Sequence, residues 1–181
     1  QFNFTRRIHT EEAILKHSML VVTSTQQEIQ EQYGMYQHAG DARFKVISPG
    51  IDTSQFSPPT RKQTITHFQA EIDAYFSAPE KPLIVAISRP DSRKNIQGLI
   101  RAYGDNPSLQ AQANLLIVAG SRQHIQQLDE SQKQILTGLL IDIDFYDLWG
   151  KVAVPKHIAQ EDIPELYRLA AKKRGVFVNP A

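Results

Sequence analysis

Seven basic residues, two of them histidines, fall in three short polar stretches, each directly after an apolar run: Arg89, Arg93 and Lys94 in 88–95, Arg122 and His124 in 120–124, and Lys156 and His157 in 155–162. Only Asp91, Glu161 and Asp162 oppose them there. Arginine forks and lysine ammonium groups at this density suit a phosphate or diphosphate, which takes several charge-assisted hydrogen bonds at once. Arg89 and Lys94 stand five positions apart across one turn, so both can face a single phosphate-bearing ligand. Taken alone, 88–95 equally suits an ordinary solvated loop between a strand and a helix.

The elements that must position these residues follow from the pattern. The runs 82–87, 114–119, 148–154 and 176–178 are continuously apolar, as strands covered on both faces are. Helix-like segments separate them: 96–103 behind Asn95 as a cap, 125–140, and one from Asp162 or the Ile163–Pro164 step through Ala171. Strand and helix alternate from residue 82 onward, which predicts an α/β fold with a parallel sheet and helices on both faces. The loops 88–94, 120–124, 155–162 and 179–181 then share one edge, where open α/β sheets bind ligands.

Earlier in the chain, 2–17 has helical spacing and carries Arg6 and Arg7, and 19–22 reads as a strand. The hydroxyls of 23–25 offer an N-cap to a helix over 26–33, and 44–47 is a further strand. The Pro/Gly/Ser-rich stretch 48–59 reads as a linker, and 60–77 as a surface helix presenting Ile65, Phe68, Ile72, Tyr75 and Phe76.

Other chemistries find no support in the residue types. There is no cysteine, no H-E-x-x-H, and no metal spacing among the six histidines, so no zinc site is expected. Neither a P-loop, a G-x-G-x-x-G nor a nucleophile elbow occurs. A net charge of +1 gives no global attraction to nucleic acid or membrane, and no run approaches the roughly 18 apolar residues of a membrane span. The absence of cysteine and of a signal sequence fits the cytoplasm. Gln1 and the strand-plus-turn ending at Ala181 lead us to expect part of a longer protein.

At Arg89-Pro-Asp-Ser-Arg-Lys-Asn95 the chain resembles the retaining glycosyltransferases built from two Rossmann-like domains (GT-B), whose second domain carries an R-x-D-x-x-K-N turn. Ser48-Pro-Gly-Ile-Asp52 with Phe56 is similar to their interdomain segment, and Val21-Val-Thr-Ser-Thr-Gln-Gln-Glu28 to the end of their first domain. Arg6-Arg-Ile8, Val154-Pro-Lys-His157, the stretch from Asp162 to Ala171, and Gly175-Val-Phe-Val-Asn-Pro-Ala181 narrow the resemblance to the sucrose-phosphate synthases. Sucrose synthase is the nearest competitor, with a different loop where Pro155-Lys-His157 stands.

The resemblance implies an incomplete GT-B fold: 1–50 from the end of the acceptor domain, 51–80 as interdomain linker and surface helix, and 81–181 as the donor domain, ending before the E-x7-E motif. It implies transfer of glucose from UDP-glucose, or ADP-glucose in some cases, to fructose 6-phosphate, with retention and without a metal or other cofactor. Arg89 and Lys94 match the pair on the donor diphosphate. Gly120, Ser121 and Arg122 match the turn beside the nucleotide. Val154, Lys156 and His157 match the loop along the nucleobase. Arg6 or Arg7 matches a group on the acceptor phosphate. The resemblance also allows association with a sucrose-phosphate phosphatase. It leaves these residues alone inactive, and it leaves sucrose synthase, another retaining hexosyltransferase or a non-catalytic nucleotide-sugar module as alternatives.

Overall fold

The computed structural model describes residues 3–58 and 66–181. The chain divides into two compact units, Gln1–Thr53 and Ser54–Ala181.

In the first unit, α1 (Phe4–His17) is capped by Asn3, whose side chain accepts the Arg6 N–H at 2.9 Å. Strands β1 (Val21–Thr23) and β2 (Phe44–Val46) pair in parallel. The connection between them opens with a capping box. Glu28 N–H donates to Thr25 Oγ1 at 3.2 Å while the Glu28 carboxylate accepts the Ser24 N–H at 2.9 Å. The helix that follows is not regular, since it widens into π-type turns over Glu28–Gln32. Glu12 of α1 ties this connection down by accepting the N–H groups of Gln37 and His38 at 2.8 and 3.0 Å. Burial alone would raise the Glu12 carboxyl, but those two donors hold it below its ordinary value.

The second unit is a four-stranded, all-parallel sheet: β3 (Leu83–Ile87), β4 (Asn114–Val118), β5 (Val152–Ala153) and β6 (Val176–Phe177), in the order β5-β4-β3-β6. Alternate strand residues face opposite ways, so β3, β4 and β5 feed two cores. Val176 and Phe177 of the edge strand β6 are exposed, not covered on both faces as the apolar run 176–178 predicts. Leu83, Val85, Leu116, Val118 and Ala153 pack with Ile72 of α2 (Thr66–Asp73), with Phe76 just beyond it, and with Leu166 and Leu169 of α6 (Ile163–Lys172). Leu115, Ile117, Val152 and Val154 pack with Ile96, Ile100 and Tyr103 of α3 (Ile96–Gly104) and Leu136, Leu139 and Ile143 of α5 (Glu130–Phe145). This is the α/β architecture the alternation of elements predicts.

Several boundaries differ from the sequence reading. Of the expected 60–77 helix, 60–65 lie outside the described residues; the described helix stops at Asp73, and Ile72 and Phe76 pack into the second unit's core. A short helix, α4 (Pro107–Gln112), was not expected, although Asn106 caps it at 3.0 Å and Pro107 opens it. The 125–140 helix begins at Glu130 behind its cap Asp129 and runs on to Phe145. The expected 148–154 strand shrinks to Val152–Ala153, because Leu148 to Lys151 form the turn that closes α5, with positive φ at Asp147 and Gly150.

The strand order locates the ligand edge. Successive strands β3, β4 and β5 run outward, and the chain then crosses back to place β6 on the other side of β3. The reversal falls between β3 and β6, and the carboxyl ends of strands at such a switch point are where doubly wound sheets hold their ligands. The loop after β3 borders that point. The helix-to-strand junction below is tight: a Cβ on Gly175 would run into the Leu83 carbonyl, so only glycine fits there.

Candidate nucleotide-binding edge

The loop after β3 is fixed at its base by the Ser88 N–H donating to Val118 O at 3.0 Å and by buried Pro90. Asp91 then caps a single 3₁₀ turn, Ser92–Lys94. Its carboxylate accepts the Arg93 backbone N–H at 3.0 Å and the Arg93 guanidinium at 3.1 and 2.6 Å. The guanidinium, followed by the backbone N–H, holds the Asp91 carboxyl well below the usual carboxylate range. Arg93 is therefore neutralised in place. Among the described residues no hydrogen bond or ion pair engages the side chain of Arg89, which is exposed, or of Lys94, which is half-buried.

Asn95 departs from its expected role. It stands at the N-cap of α3 in the left-handed conformation, φ 47°, and its side chain makes no capping hydrogen bond. The N–H groups of Ile96, Gln97 and Gly98 consequently have no partner among the described residues. An uncapped helix N-terminus beside two unpaired cations is an arrangement that favours an anion. Where α5 begins, Arg89, Pro90, Asp91, Asp129, Ser131 and Gln132 line an open cleft of about 200 Å³.

The neighbouring loops sit on the same edge because their strands are parallel. Gly120 turns at φ +66° beneath exposed Ser121. Arg122 does not extend to solvent: its guanidinium donates to Val154 O at 3.0 and 2.5 Å, and its N–H donates to Lys156 O at 2.8 Å. Val154 is buried, so it offers only backbone, whereas Lys156 and His157 are exposed. Of the cations expected here, the structure thus leaves Arg89, Lys94 and Lys156 uncommitted. Among the described residues no cluster of three His, Cys, Asp or Glu side chains could hold a metal ion, and no helix is long and apolar enough to cross a membrane.

Arg6 and Arg7 belong to the first unit. Arg7 pairs with Glu11 at 2.9 Å, which raises its pKa. Arg6 lines an open face of α1 with Asn3, His9 and Thr10.

No family model matches the sequence. Curated relatives do. The chain is 36% identical over 99% of its length to a probable sucrose-phosphate synthase of Oryza sativa subsp. japonica, of which it covers 22%, and 38% identical over 99% to one of Beta vulgaris, of which it covers 20%. The chain is homologous to one segment of the sucrose-phosphate synthases. It spans about a fifth of the length of these sucrose-phosphate synthases. Solved structures share the fold: a sucrose-phosphate synthase from Thermosynechococcus elongatus, at TM-score 0.62 and 24% identity, covering 92% of this chain and 37% of that one; and Anabaena HepE in complex with UDP and glucose, at TM-score 0.62 and 19% identity, covering 93% and 40%. The chain thus has the α/β architecture of the GT-B glycosyltransferases.

Proposed function

We propose that this segment carries the donor-diphosphate site of a retaining glucosyltransferase that moves glucose from UDP-glucose to the C2 hydroxyl of fructose 6-phosphate, giving sucrose 6-phosphate and UDP. The homology to sucrose-phosphate synthases supports the reaction class, and the solved HepE complex with UDP and glucose supports a nucleotide on this fold. The observation that carries the reading is the pair of uncommitted cations, Arg89 and Lys94, beside the uncapped N-terminus of α3.

As the bond from the glucose anomeric carbon to the diphosphate breaks, the electron pair leaves with UDP and charge builds on the β-phosphate. Fixed cations and N–H donors already aimed there lower the barrier without reorganisation. Residues 81–181 would serve the donor and 1–50 the acceptor, with Arg6, whose neighbour Arg7 is paired with Glu11, toward the acceptor phosphate. The donor sugar would be held by groups outside these residues, so the 181 residues alone would bind UDP weakly and not turn over.

The test is an assay of the full-length gene product with UDP-glucose against fructose and fructose 6-phosphate. Sucrose 6-phosphate is the expected product. No transfer to either acceptor defeats the enzyme reading, and a preference for free fructose reassigns it to sucrose synthase.

A further inference from the structure

Among the described residues three that are not glycine adopt positive φ: Asn95 at 47°, Asp147 at 51° and Arg174 at 54°. Asp147 and Arg174 each follow the C-cap of a helix, α5 and α6, where a left-handed residue is an ordinary stop. Asn95 has two neighbours to serve. It ends the 3₁₀ turn Ser92–Lys94, its N–H donating to Ser92 O at 3.1 Å, and it is also the N-cap of α3, a position that usually has extended backbone. No residue lies between turn and helix, so the backbone angles of Asn95 alone set the angle between them. The helix side of this joint is fixed, because Ile96 and Ile100 are buried in the core. The other side carries Lys94.

The Asn95 side chain is seated rather than bonded. It makes no capping hydrogen bond, and its amide lies over Gly98, where any added Cβ would collide with it. Gly98 is within α3 and has no positive φ, so its missing side chain serves this contact and not the backbone.

Resting on the reading of Lys94 above, we propose that Asn95 is a positioning residue that aims the Lys94 ammonium at the ligand phosphates: its left-handed backbone, with the amide seated over Gly98, holds the turn at the angle that presents Lys94. A residue with a Cβ resists this conformation, asparagine least and glycine not at all. A substitute that leaves it swings the turn on its anchored helix. The fraction of protein with Lys94 in place then falls, and apparent affinity falls with that fraction.

The experiment measures UDP and uridine affinity by calorimetry on the full-length gene product, with thermal melts to set a temperature at which every variant is folded. Asn95→Ala should weaken UDP by up to about tenfold, the scale of a left-handed residue with a Cβ, and leave uridine in place. Asn95→Gly, which reaches positive φ freely, should recover most of that loss. In a Lys94→Ala background Asn95→Ala should add less than about twofold, since its route to the phosphate is already gone. Gly98→Ala should weaken UDP when Asn95 is present and not when glycine replaces it.

An equal UDP loss in Asn95→Ala and Asn95→Gly would overturn the proposal, because the backbone would not be what matters. So would an equal loss with and without Lys94, or the same response to Gly98→Ala in both backgrounds. A wild type that binds UDP no better than uridine removes the phosphate reading itself, and this inference with it.

Discussion

Of the three cations at 88–95, the turn itself separates two roles. Asp91 engages Arg93 through backbone and side chain at once, and Arg89 and Lys94 remain free. Replacing Arg89 or Lys94 by alanine in the full-length gene product should therefore cost about 2–4 kcal/mol in kcat/KM, the scale for removing one preorganised donor. Arg93→Ala should stay within about threefold of wild type in kcat/KM, because it removes a group held away from the ligand by its own turn, at the roughly 1 kcal/mol or less of an exposed pair. Steady-state kinetics on the three variants separate these outcomes, and an Arg93→Ala loss as large as that of Lys94→Ala would refute the division. The composition shows three cations; only the loop geometry shows that one is cancelled, because the Asp91–Arg93 spacing becomes a clamp only when 92–94 folds as a 3₁₀ turn.

The same clamp has a definite pH dependence. A depressed carboxyl contributes above its unfolded value, about 4, and its contribution disappears as the pH falls through the lower folded value. The Asp91 contact is thus constant across neutral and mildly acidic solution. The ¹³C shift of its carboxyl should stay flat from about pH 8 to about pH 4.5, well above its depressed value. A titration step inside that range would show that Arg93 does not hold it.

The elements were legible where one physical signal dominated. Continuous apolar runs gave β3 and β4, and the Ile163-Pro164 step gave the start of α6. The irregular pieces were not, because tertiary contacts decide them: β5 is cut to two residues by the turn that ends α5, and Asn95 gives up its capping bond for a left-handed backbone. One tie joins elements far apart in sequence. Arg168 of α6 is buried and donates to the carbonyls of Gln55 and Ser57 while pairing with Glu165 at 2.5 Å, and Phe56 meets the Tyr167 ring edge-on at 6.0 Å. Arg168→Ala should destabilise the second unit by about 3 kcal/mol, since it strands two carbonyls and a carboxylate, and should open 54–58 to protease. Thermal melts with limited proteolysis check this; unchanged cleavage there would show that Tyr167 and Phe56 suffice. The sequence gives no hint of that contact, because its partners are main-chain atoms more than a hundred residues away.

At the scale of the whole chain the charges nearly cancel, with 20 Lys and Arg against 19 Asp and Glu. The net charge of these residues therefore contributes little attraction for a dianionic ligand, and any electrostatic capture by them must come from the local edge. The parallel strand order was readable from the alternation of strands and helices and brings the cationic loops to that edge. The position of the reversal between β3 and β6 was not, since nothing local marks on which side of β3 the last strand docks. Local capture by exposed and half-buried cations is screened by salt. UDP binding to the full-length gene product should therefore weaken several-fold as ionic strength rises from about 0.05 to about 0.5 M, over which the screening length falls from well above to below the reach of the site. Uridine, which lacks the phosphates, should show almost no change. Lys94→Ala should flatten the UDP slope while leaving the uridine affinity in place. Calorimetry across a salt series reads all three, and a UDP slope that survives the loss of both Arg89 and Lys94 would place the phosphate contact elsewhere in the protein.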